Sequence, residues 1–543
     1  MKRKQKDKLA DNLPASAVEF IRLVIKKMRY RKKVRQDVQA ELSAHFEDEL
    51  KDLATDEEKA QKAQQLIAGF GDVKLLAVLL RRAKKRCRPL WRKALVRSLQ
   101  VAGVIILYLL ICFAPLVIGR PKISVNYVDW LNNLARADRD ESENAYPYYK
   151  QAVAASVKIP GWLVKSRVKW PADFNDIEME QFSRWINDNK EALDFLIEGT
   201  KRPHYWAVYR GTGNALITGN ILDEDFMENL SEYKTLARAL NWRSRYRAYR
   251  GDIGSALDDC VSSVRLGSHQ QGKGLLIEQL VGVAIEALAD GTIFMILEKT
   301  DVPADALKNL QEELKNQYRN QKPVFSFESE KAFKYDYIQR TFTDDGKGGG
   351  RMLVRGLPIA VGDWKDGVLG FVFFNYPDRK EVTETIDKFY RQADELLRET
   401  PWQAGSEDRK DELSEIAKDS SLLKLLGLSY SRIRNIVWRV KMHREALLTV
   451  LAIMRYEKEK GQYPASLDEL VEADYLKELP MDAYSDAPLA YRRTDEGFLL
   501  YSFGTNLKDD GGKLGRGRKG TPKMWADDGD WVFWPVPKLQ LKQ

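Results

Sequence analysis

A run of nineteen residues without a charged side chain, 101–119, constrains this chain more than any other feature of its sequence. The run reads VAGVIILYLLICFAPLVIG. A helix of about this length and apolar character spans the hydrocarbon core of a bilayer. About a hundred residues precede it, which is far more than the short leader of a cleavable signal peptide. We therefore expect one transmembrane helix that is retained as a signal anchor.

The charges on the two sides of the run predict its orientation. Nine Lys and Arg residues lie between positions 81 and 97, whereas only Arg120 and Lys122 closely follow the run. Positively charged flanks stay in the cytoplasm. The sequence therefore predicts a protein of the inner, cytoplasmic membrane, with residues 1–100 in the cytoplasm and everything after Arg120 extracytoplasmic.

The net charge of +9 is unevenly distributed along the chain. Residues 1–100 hold 26 basic and 13 acidic side chains, a net charge of +13, and the remainder is net −4. Beside a membrane, a basic segment favours anionic lipid headgroups over nucleic acid, so we expect the membrane and unidentified proteins as partners and no nucleic acid. Cys87, Cys112 and Cys260 fall in three different compartments, which argues against a disulfide framework.

Hydrophobic periodicity predicts a mainly α protein in four parts. These are a cytoplasmic helical bundle (1–90), a basic juxtamembrane segment with the transmembrane helix (91–120), a large extracytoplasmic helical domain (121–440) and a small α+β head (441–543). A further apolar segment, 275–297, carries Glu278, Glu286 and Asp290. Each of these acids would be costly in a bilayer, so we expect a buried soluble helix there.

The first 90 residues contain amphipathic helices that end at the stop signal Gly-Phe-Gly-Asp, 69–72. The segment resembles the short helical prefix domain, sometimes called HAAS, that precedes bacterial permease and sensor membrane segments. Besides that stop signal, the resemblance rests on Glu41, Leu42, His45, Glu47 and Asp48. It implies an interaction or signal-coupling module.

Residues 230–265 have the spacing of a helical hairpin around Gly251 and Asp252. The sequence RGDIGSALDDCVSSVRLG resembles the second half of a tetratricopeptide unit, although no second 34-residue unit follows it. We expect a stack of helix pairs that is partly similar to tetratricopeptide repeats.

Polar residues concentrate between 328 and 351, a range that ends in the glycine-rich turn DDGKGGG, 344–350. Two interpretations remain open, a helix followed by a plain flexible loop and a ligand or catalytic site. The turn lacks the features of a phosphate loop, and Arg355 occupies the position at which a calcium loop of the EF-hand type needs Glu. The candidate ligand-site residues are Glu328, Glu330, Asp336, Arg340, Asp344 and Asp345.

Recognisable catalytic motifs are missing from the sequence. The chain has four His residues and neither HExxH nor GxSxG. Catalysis by two carboxylates, as in a glycoside hydrolase, stays open because the two acids can be far apart in sequence.

The C-terminal residues read as a helix that stops at Gly-x-Tyr-Pro, followed by two short strands at 489–493 and 498–503. This stretch is similar to the globular head of type II secretion pseudopilins. The matching residues are Gly461, Tyr463, Pro464, Leu479, Pro480, Asp482, Tyr491, Phe498, Tyr501, Ser502, Gly504, Gly511 and Gly512. A pseudopilin head directly continues its membrane helix, whereas more than 320 residues intervene here. The filament-forming role is therefore not implied.

Many pseudopilin heads bind calcium through acidic residues after the last strand. The matching acids here are Asp527, Asp528 and Asp530, and Asn506 replaces the Asp of the family's Gly-x-Asp. Clustered oxygen ligands suit Ca²⁺. The resemblance implies calcium as the one candidate cofactor, and a plain solvated acidic turn is the alternative.

These features together predict a single-pass envelope protein that acts as a binding or scaffold component, linked to secretion or envelope organisation. One alternative is an extracytoplasmic enzyme with carboxylate chemistry near 328–345. A second alternative is a sensor that transmits an outer binding event to the cytoplasmic helices.

Overall fold

The computed structural model describes residues 13–537 except 87–89, 166–169, 211–223, 321–324, 354–377, 406–429 and 518–519. Its contacts divide the chain into two compact units, Met1–Ile111 and Cys112–Gln543. The described residues form mainly α-helices and one three-stranded sheet near the C-terminus. The predicted fold class is confirmed at this level.

The first unit contains four amphipathic helices and the start of a fifth. They are α1 (Ala15–Lys27), α2 (Lys32–Leu50), α3 (Asp56–Phe70), α4 (Val73–Arg86) and α5 (Leu90–Ile118). Helix α1 packs against α2, α3 and α4. The rings of Phe20, Phe46 and Phe70 meet in the core, with centroids 5.7 to 6.2 Å apart. The apolar faces predicted from spacing are therefore the faces that form this bundle.

Local signals in the sequence explain where α3 and α4 begin. The Thr55 side chain accepts a hydrogen bond from the backbone N–H of Glu58, and the Glu58 carboxylate accepts one from the N–H of Thr55, which is a capping box. Gly71 has φ +69°, a conformation that favours glycine, and it separates α3 from α4. Asp72 then accepts a hydrogen bond from the N–H of Leu75 at 2.8 Å.

Two described helices are long and apolar enough to cross a membrane, and the bent pair α3 and α4 would add a third candidate if it formed one span. The window 94–111 of α5 has a mean hydropathy of 2.1 and is 0% buried. The other helix, Leu276–Lys299, is 67% buried within the second unit. Packing against neighbouring helices therefore accounts for the apolar sequence of Leu276–Lys299.

After the end of α5, the first helix of the second unit is α6 (Tyr127–Arg136). The next helices are α7 (Tyr146–Ala155), α8 (Gly161–Lys165), α9 (Asp176–Asp188), α10 (Lys190–Thr200), α11 (Glu224–Tyr249), α12 (Ile253–Gln270) and α13 (Leu276–Lys299). Those after α13 are α14 (Ala304–Asn320), α15 (Glu328–Thr341), α16 (Arg379–Arg398), α17 (Tyr430–Lys460) and α18 (Asp468–Glu472). Helices α11, α12 and α13 pack against one another, and α14 packs on α17.

The predicted hairpin at 230–265 lies in α11 and α12. Gly251 has φ +85° at the turn, and Asp252 accepts a hydrogen bond from the N–H of Ser255 at 3.2 Å. Between the two helices, the buried carboxylate of Asp259 pairs with Arg243 at 2.7 Å and with Arg247 at 2.9 Å. A turn glycine, a helix cap and a buried ion pair thus define the hairpin.

Strands β1 (Ala490–Thr494), β2 (Gly497–Ser502) and β3 (Trp531–Trp534) form an antiparallel sheet in the order β1-β2-β3. The strand pair predicted from the sequence is present, and β3 adds a third strand that the sequence reading missed. The sheet packs on α17. Its core residues Leu500 and Trp531 belong to the same hydrophobic cluster as Leu447 of α17 and Leu310 of α14. The C-terminal segment therefore shares one core with the helices that precede it.

Candidate functional site

The second unit contains a cleft of about 1880 Å³. One wall comes from the segment 200–209 and from the C-terminal end of α12, and the opposite wall comes from α17 and residues 478–483. The start of α15 and the end of α16 also line it. Pockets for small molecules usually measure about 300–1,000 Å³. The cleft is therefore large enough for a segment of a polymer.

Basic side chains crowd the end of the cleft that α6, α10 and α12 form. They are Arg139, Lys201, Arg202, His204, Arg265 and Lys273. Partners outside the lining neutralise part of this charge: Lys201 and Arg202 share Glu198 at 2.9 and 3.1 Å, and Arg265 pairs with Glu313 at 2.7 Å. The other elements contribute both acidic and basic side chains, which are Glu328, Asp394, Glu445 and Glu478 together with Arg398, Lys441 and Arg444. The cleft thus offers both signs of charge to a ligand.

His269, at the end of α12, is a neutral histidine in the wall of the cleft. Its Nε2 lies 3.0 Å from the backbone oxygen of Arg202, and its Nδ1 lies 2.6 Å from the hydroxyl of Tyr149. Nε2–H therefore donates to Arg202, and Nδ1 accepts from Tyr149. Burial lowers the pKa of His269 to about 4. The ring holds the segment after α10 against α7 and α12.

Glu278, in the first turn of α13, is a buried acid in the wall of the cleft. Its carboxylate accepts hydrogen bonds from the hydroxyl of Tyr209 and from the N–H of Leu275, both at 2.6 Å. Burial raises the pKa of Glu278 to about 7. A carboxyl group that titrates near neutral pH is a common feature of functional sites.

A network of buried polar side chains joins α13 to α17 beside the cleft. Arg444 makes a two-point ion pair with Glu286, with Nη2 at 2.7 Å from Oε2, and the same Nη2 lies 3.1 Å from Oε1 of Gln271. The amide of Gln271 donates to Glu286 at 2.7 Å. The guanidinium also lies 4.8 Å from the ring centre of Tyr318. These contacts join α17 to α13, to α14 and to the loop after α12.

A second acid of α13 extends this network. Asp290 accepts a hydrogen bond from the hydroxyl of Tyr318 at 3.1 Å and faces Nδ1 of His443 at 3.2 Å. His443 in turn packs against Trp525 and Phe533 of the C-terminal segment. The polar residues within the apolar helix α13 therefore connect both walls of the cleft.

Of the six residues predicted to form a ligand site, Glu328 lines the cleft and is exposed. Glu330 pairs with Lys334 at 2.9 Å within the same helix, α15. Their neighbour Ser329 donates to the backbone oxygen of Lys273, which ties the start of α15 to the loop before α13.

In α15 the buried carboxylate of Asp336 pairs with the partly exposed Arg340, whose Nε lies 2.6 Å from it. The other carboxylate oxygen accepts a hydrogen bond from the amide of Gln339 at 2.8 Å. Gln339 donates to the backbone oxygen of Val125 at 2.7 Å, and its own oxygen accepts from the N–H groups of Ser124 and Val125 at 3.1 and 3.2 Å. We call this arrangement the Gln339 clamp. It accounts for Asp336 and Arg340 without a ligand.

We expect Asp336→Ala to lower the free energy of unfolding of the second unit by about 2 kcal/mol, because it removes hydrogen bonds from a charged acceptor and leaves Arg340 without its partner. Denaturant unfolding followed by fluorescence measures the change. The control is Glu180→Ala, which removes an exposed ion pair with Arg184 and should change stability by less than about 1 kcal/mol. Equal stability of the two variants would contradict a structural role for Asp336.

The glycine-rich turn after α15 has a defined conformation. Asp345 accepts hydrogen bonds from the N–H groups of Lys347 and Gly349 at 2.7 and 2.9 Å, and Asp344 pairs with Arg379 at 2.8 Å. At Gly350 a Cβ atom would lie 1.9 Å from the backbone oxygen of Thr343, so this close approach requires glycine. Internal hydrogen bonds therefore occupy both acids of the turn, and the ligand-site hypothesis for them stays a prediction.

The three acids predicted to bind calcium have different surroundings. Asp527 is exposed and accepts from the Thr505 hydroxyl at 3.2 Å, and Asp528 accepts from the N–H of Arg516 at 2.7 Å. Asp530 is buried and accepts from the N–H groups of Asp510 and Gly512 at 3.2 and 2.6 Å. Within the described residues, no three His, Cys, Asp or Glu side chains are grouped to hold a metal ion. Calcium binding stays a prediction from the resemblance.

The sequence reading did not place His269, Gln271 or Arg444 at a site. Their positions depend on contacts between segments up to 173 residues apart, such as the bond from Arg444 to Gln271. One signal pointed to them, the three acids within the apolar helix α13, since a buried carboxylate needs a hydrogen-bonded or charged partner.

Comparison of the chain with family models, with curated proteins and with solved structures finds no match. The cleft, the network beside it and the apolar helix α5 are the features of the chain that bear on its function.

Proposed function

We propose that the chain is a single-pass membrane protein whose extracytoplasmic unit binds an extended segment of a protein partner in the cleft. In this proposal α5 crosses the cytoplasmic membrane with the N-terminus inside. The unit serves as a binding or scaffold component of the cell envelope. One observation carries the binding role, the cleft of about 1880 Å³ in the second unit.

The chemistry of the lining favours a polypeptide as the occupant. A cleft this large exceeds the volume that a small molecule fills. Its walls present cations near Arg202 and Lys273 and carboxylates at Glu328 and Glu478. Gln270 is buried in the cleft wall and hydrogen-bonds to the side chain of Tyr205, which also lines the cleft. Side chains of both charges and polar side chains such as Tyr205 and Gln270 can pair with the backbone and side chains of a peptide.

A photoreactive benzoylphenylalanine at Met481 tests this role, because the Met481 side chain lines the cleft and is 53% exposed. In intact cells, irradiation should join this variant to a distinct protein. The matched control is the same residue at Ile177, which is also apolar and exposed but lies on α9, outside the lining. The proposal fails if Met481 captures no protein, or if both positions capture the same set.

The predicted topology has its own expected result. Alkaline phosphatase fused after residue 119 or at the C-terminus should be active, because the charge asymmetry around α5 places both points outside the cytoplasm. A fusion at residue 86, before α5, should be inactive and serves as the control. Inactive enzyme at the first two points would reverse the orientation.

The resemblance of the C-terminal segment to pseudopilin heads belongs to the same proposal. In support, residues of the shared pattern contact one another: the Tyr491 hydroxyl donates to the backbone oxygen of Pro464 at 2.7 Å, and Asp482 accepts from the Ser502 hydroxyl at 2.7 Å. The Asp482 carboxylate also accepts from the N–H of Phe503 at 3.0 Å. We assign the segment a role in partner binding, and we assign the prefix-like first unit a coupling role in the cytoplasm. The hairpin α11–α12 remains similar to a tetratricopeptide unit.

A further inference from the structure

Helix α4 presents an apolar surface that the other described residues of the first unit do not cover. Leu75, Val78 and Leu79 are 60%, 43% and 51% exposed. Among the described residues 13–86 they are the large apolar side chains with more than a third of their surface exposed. We call these three residues the α4 stripe. Exposed apolar side chains that cluster on one face mark an interaction surface.

The opposite face of α4 already packs on the bundle. Ala77 is buried there, and Val73, Leu76 and Leu80 pack against the core of the first unit. Lys84 forms an ion pair with Glu41 of α2. The α4 stripe is therefore not needed to hold α4 in place.

Positive charge follows the α4 stripe directly. Arg81, Arg82 and Lys85 are exposed within the last two turns of α4. The chain has no Asp or Glu between Asp72 and Asp129. The surface therefore combines apolar side chains with uncompensated cations, as helices that bind at anionic membrane surfaces do.

We propose that the α4 stripe inserts between the headgroups of an anionic bilayer while Arg81, Arg82 and Lys85 bind the lipid phosphates. This inference rests on the proposed membrane span, because α5 starts only four residues after the end of α4. Four residues reach about 14 Å at most, and the eleven helical residues from Leu90 to the apolar run at 101 rise about 16 Å, so the end of α4 lies within about 30 Å of the hydrocarbon core. The arrangement places the first unit against the inner face of the membrane.

A second copy of the chain fits this surface less well. A twofold contact would bring Arg81, Arg82 and Lys85 of one copy close to the same cations of the other, and like charges in contact disfavour association. Anionic lipid complements both the apolar and the charged part of the surface.

The test places a nitroxide label on Leu79→Cys in the full chain, with Cys87→Ser and Cys112→Ala. The remaining Cys260 is buried. The protein is reconstituted into vesicles of phosphatidylcholine, with or without phosphatidylglycerol. We expect the accessibility of the label to a water-soluble nickel complex, relative to oxygen, to fall severalfold when phosphatidylglycerol is present. Replacing Arg81, Arg82 and Lys85 by Gln should abolish the fall.

The matched control is the same label on Gln64→Cys, an exposed position of α3, which should stay accessible to the nickel complex in both vesicles. Equal accessibility of the Leu79→Cys label in both vesicles overturns the inference. Spin–spin broadening would show that two labels lie close together. If it appears whenever the label is shielded from the nickel complex, a second copy covers the α4 stripe and the inference is overturned. Extraction with alkaline carbonate tests the membrane span separately. Release of the protein would contradict the span, whereas a retained protein with an accessible label would contradict only the lipid contact of the α4 stripe.

Discussion

Replacing Arg444 by Met should lower the free energy of unfolding of the second unit by about 3–5 kcal/mol, the usual effect of removing one partner of a buried ion pair. The substitution leaves Glu286 buried, with the Gln271 amide as its remaining hydrogen-bond donor in the network described above. It also removes the guanidinium from the ring of Tyr318. Denaturant unfolding of the full chain in detergent, followed by tryptophan fluorescence, measures the loss. Twelve of the thirteen Trp residues lie after residue 111 and report on this unit.

A second variant separates the loss of a partner from the loss of packing. Glu286→Leu combined with Arg444→Met removes both charges, and it should be within about 1–2 kcal/mol of the wild type because no buried charge is left unpaired. Arg184→Met, which breaks the exposed pair with Glu180, should change stability by less than about 1 kcal/mol. An equally large loss in the single and the double variant would show that the charge of Glu286 is not what the arginine stabilises.

Acidification should destabilise the second unit through His269. The pKa of this side chain is about 4 in the folded chain and 6.5 when exposed, so between these pH values the unfolded chain takes up a proton that the folded chain does not. The contribution of the neutral His269 side chain to the free energy of unfolding is fully present above pH 6.5 and is lost as pH falls toward 4. Because one pKa unit corresponds to about 1.4 kcal/mol, the total loss is about 3 kcal/mol.

His269→Gln isolates this effect from the titration of carboxylates. A glutamine can still donate to the backbone oxygen of Arg202 and accept from Tyr149, but it takes up no proton. The stability of the variant should therefore fall by about 3 kcal/mol less than that of the wild type between pH 6.5 and pH 4. His204→Gln is the control, since His204 is partly exposed and should give a smaller difference. Parallel pH profiles for the wild type and His269→Gln would mean that His269 becomes protonated in the folded protein.

Local signals predicted much of the fold. The stop at Gly71, the turn at Gly251 and the strand pair in the C-terminal segment follow from short-range rules on glycine conformation, capping and alternation, and the structure has each of them. Strand β3 was missed because its four residues, WVFW, are all apolar and carry no alternation. Short apolar runs do not distinguish a strand from a buried helix.

The candidate site was predictable only in part. Asp336 and Arg340 looked like ligands because they are polar and close in sequence, but a spacing of four residues also makes an ion pair within one helix, and the structure has that pair. The cleft combines residues from 135 to 483. The hydrophobic periodicity of the sequence predicts single helices and strands, and it does not predict contacts between residues so far apart. Buried acids in an apolar helix showed that partners must exist without identifying Arg444 or His443 as those partners.

In the proposed topology, the Gln339 clamp sets how far from the bilayer the second unit can lie. It fastens the backbone at Ser124 and Val125, six residues beyond Ile118 at the end of α5. Six extended residues cover roughly 20 Å, so only a short linker joins the clamped backbone to the proposed membrane span. A domain on a long linker could search a wide volume of the envelope, whereas this one cannot. In the proposed topology, a partner of the second unit would bind close to the membrane surface.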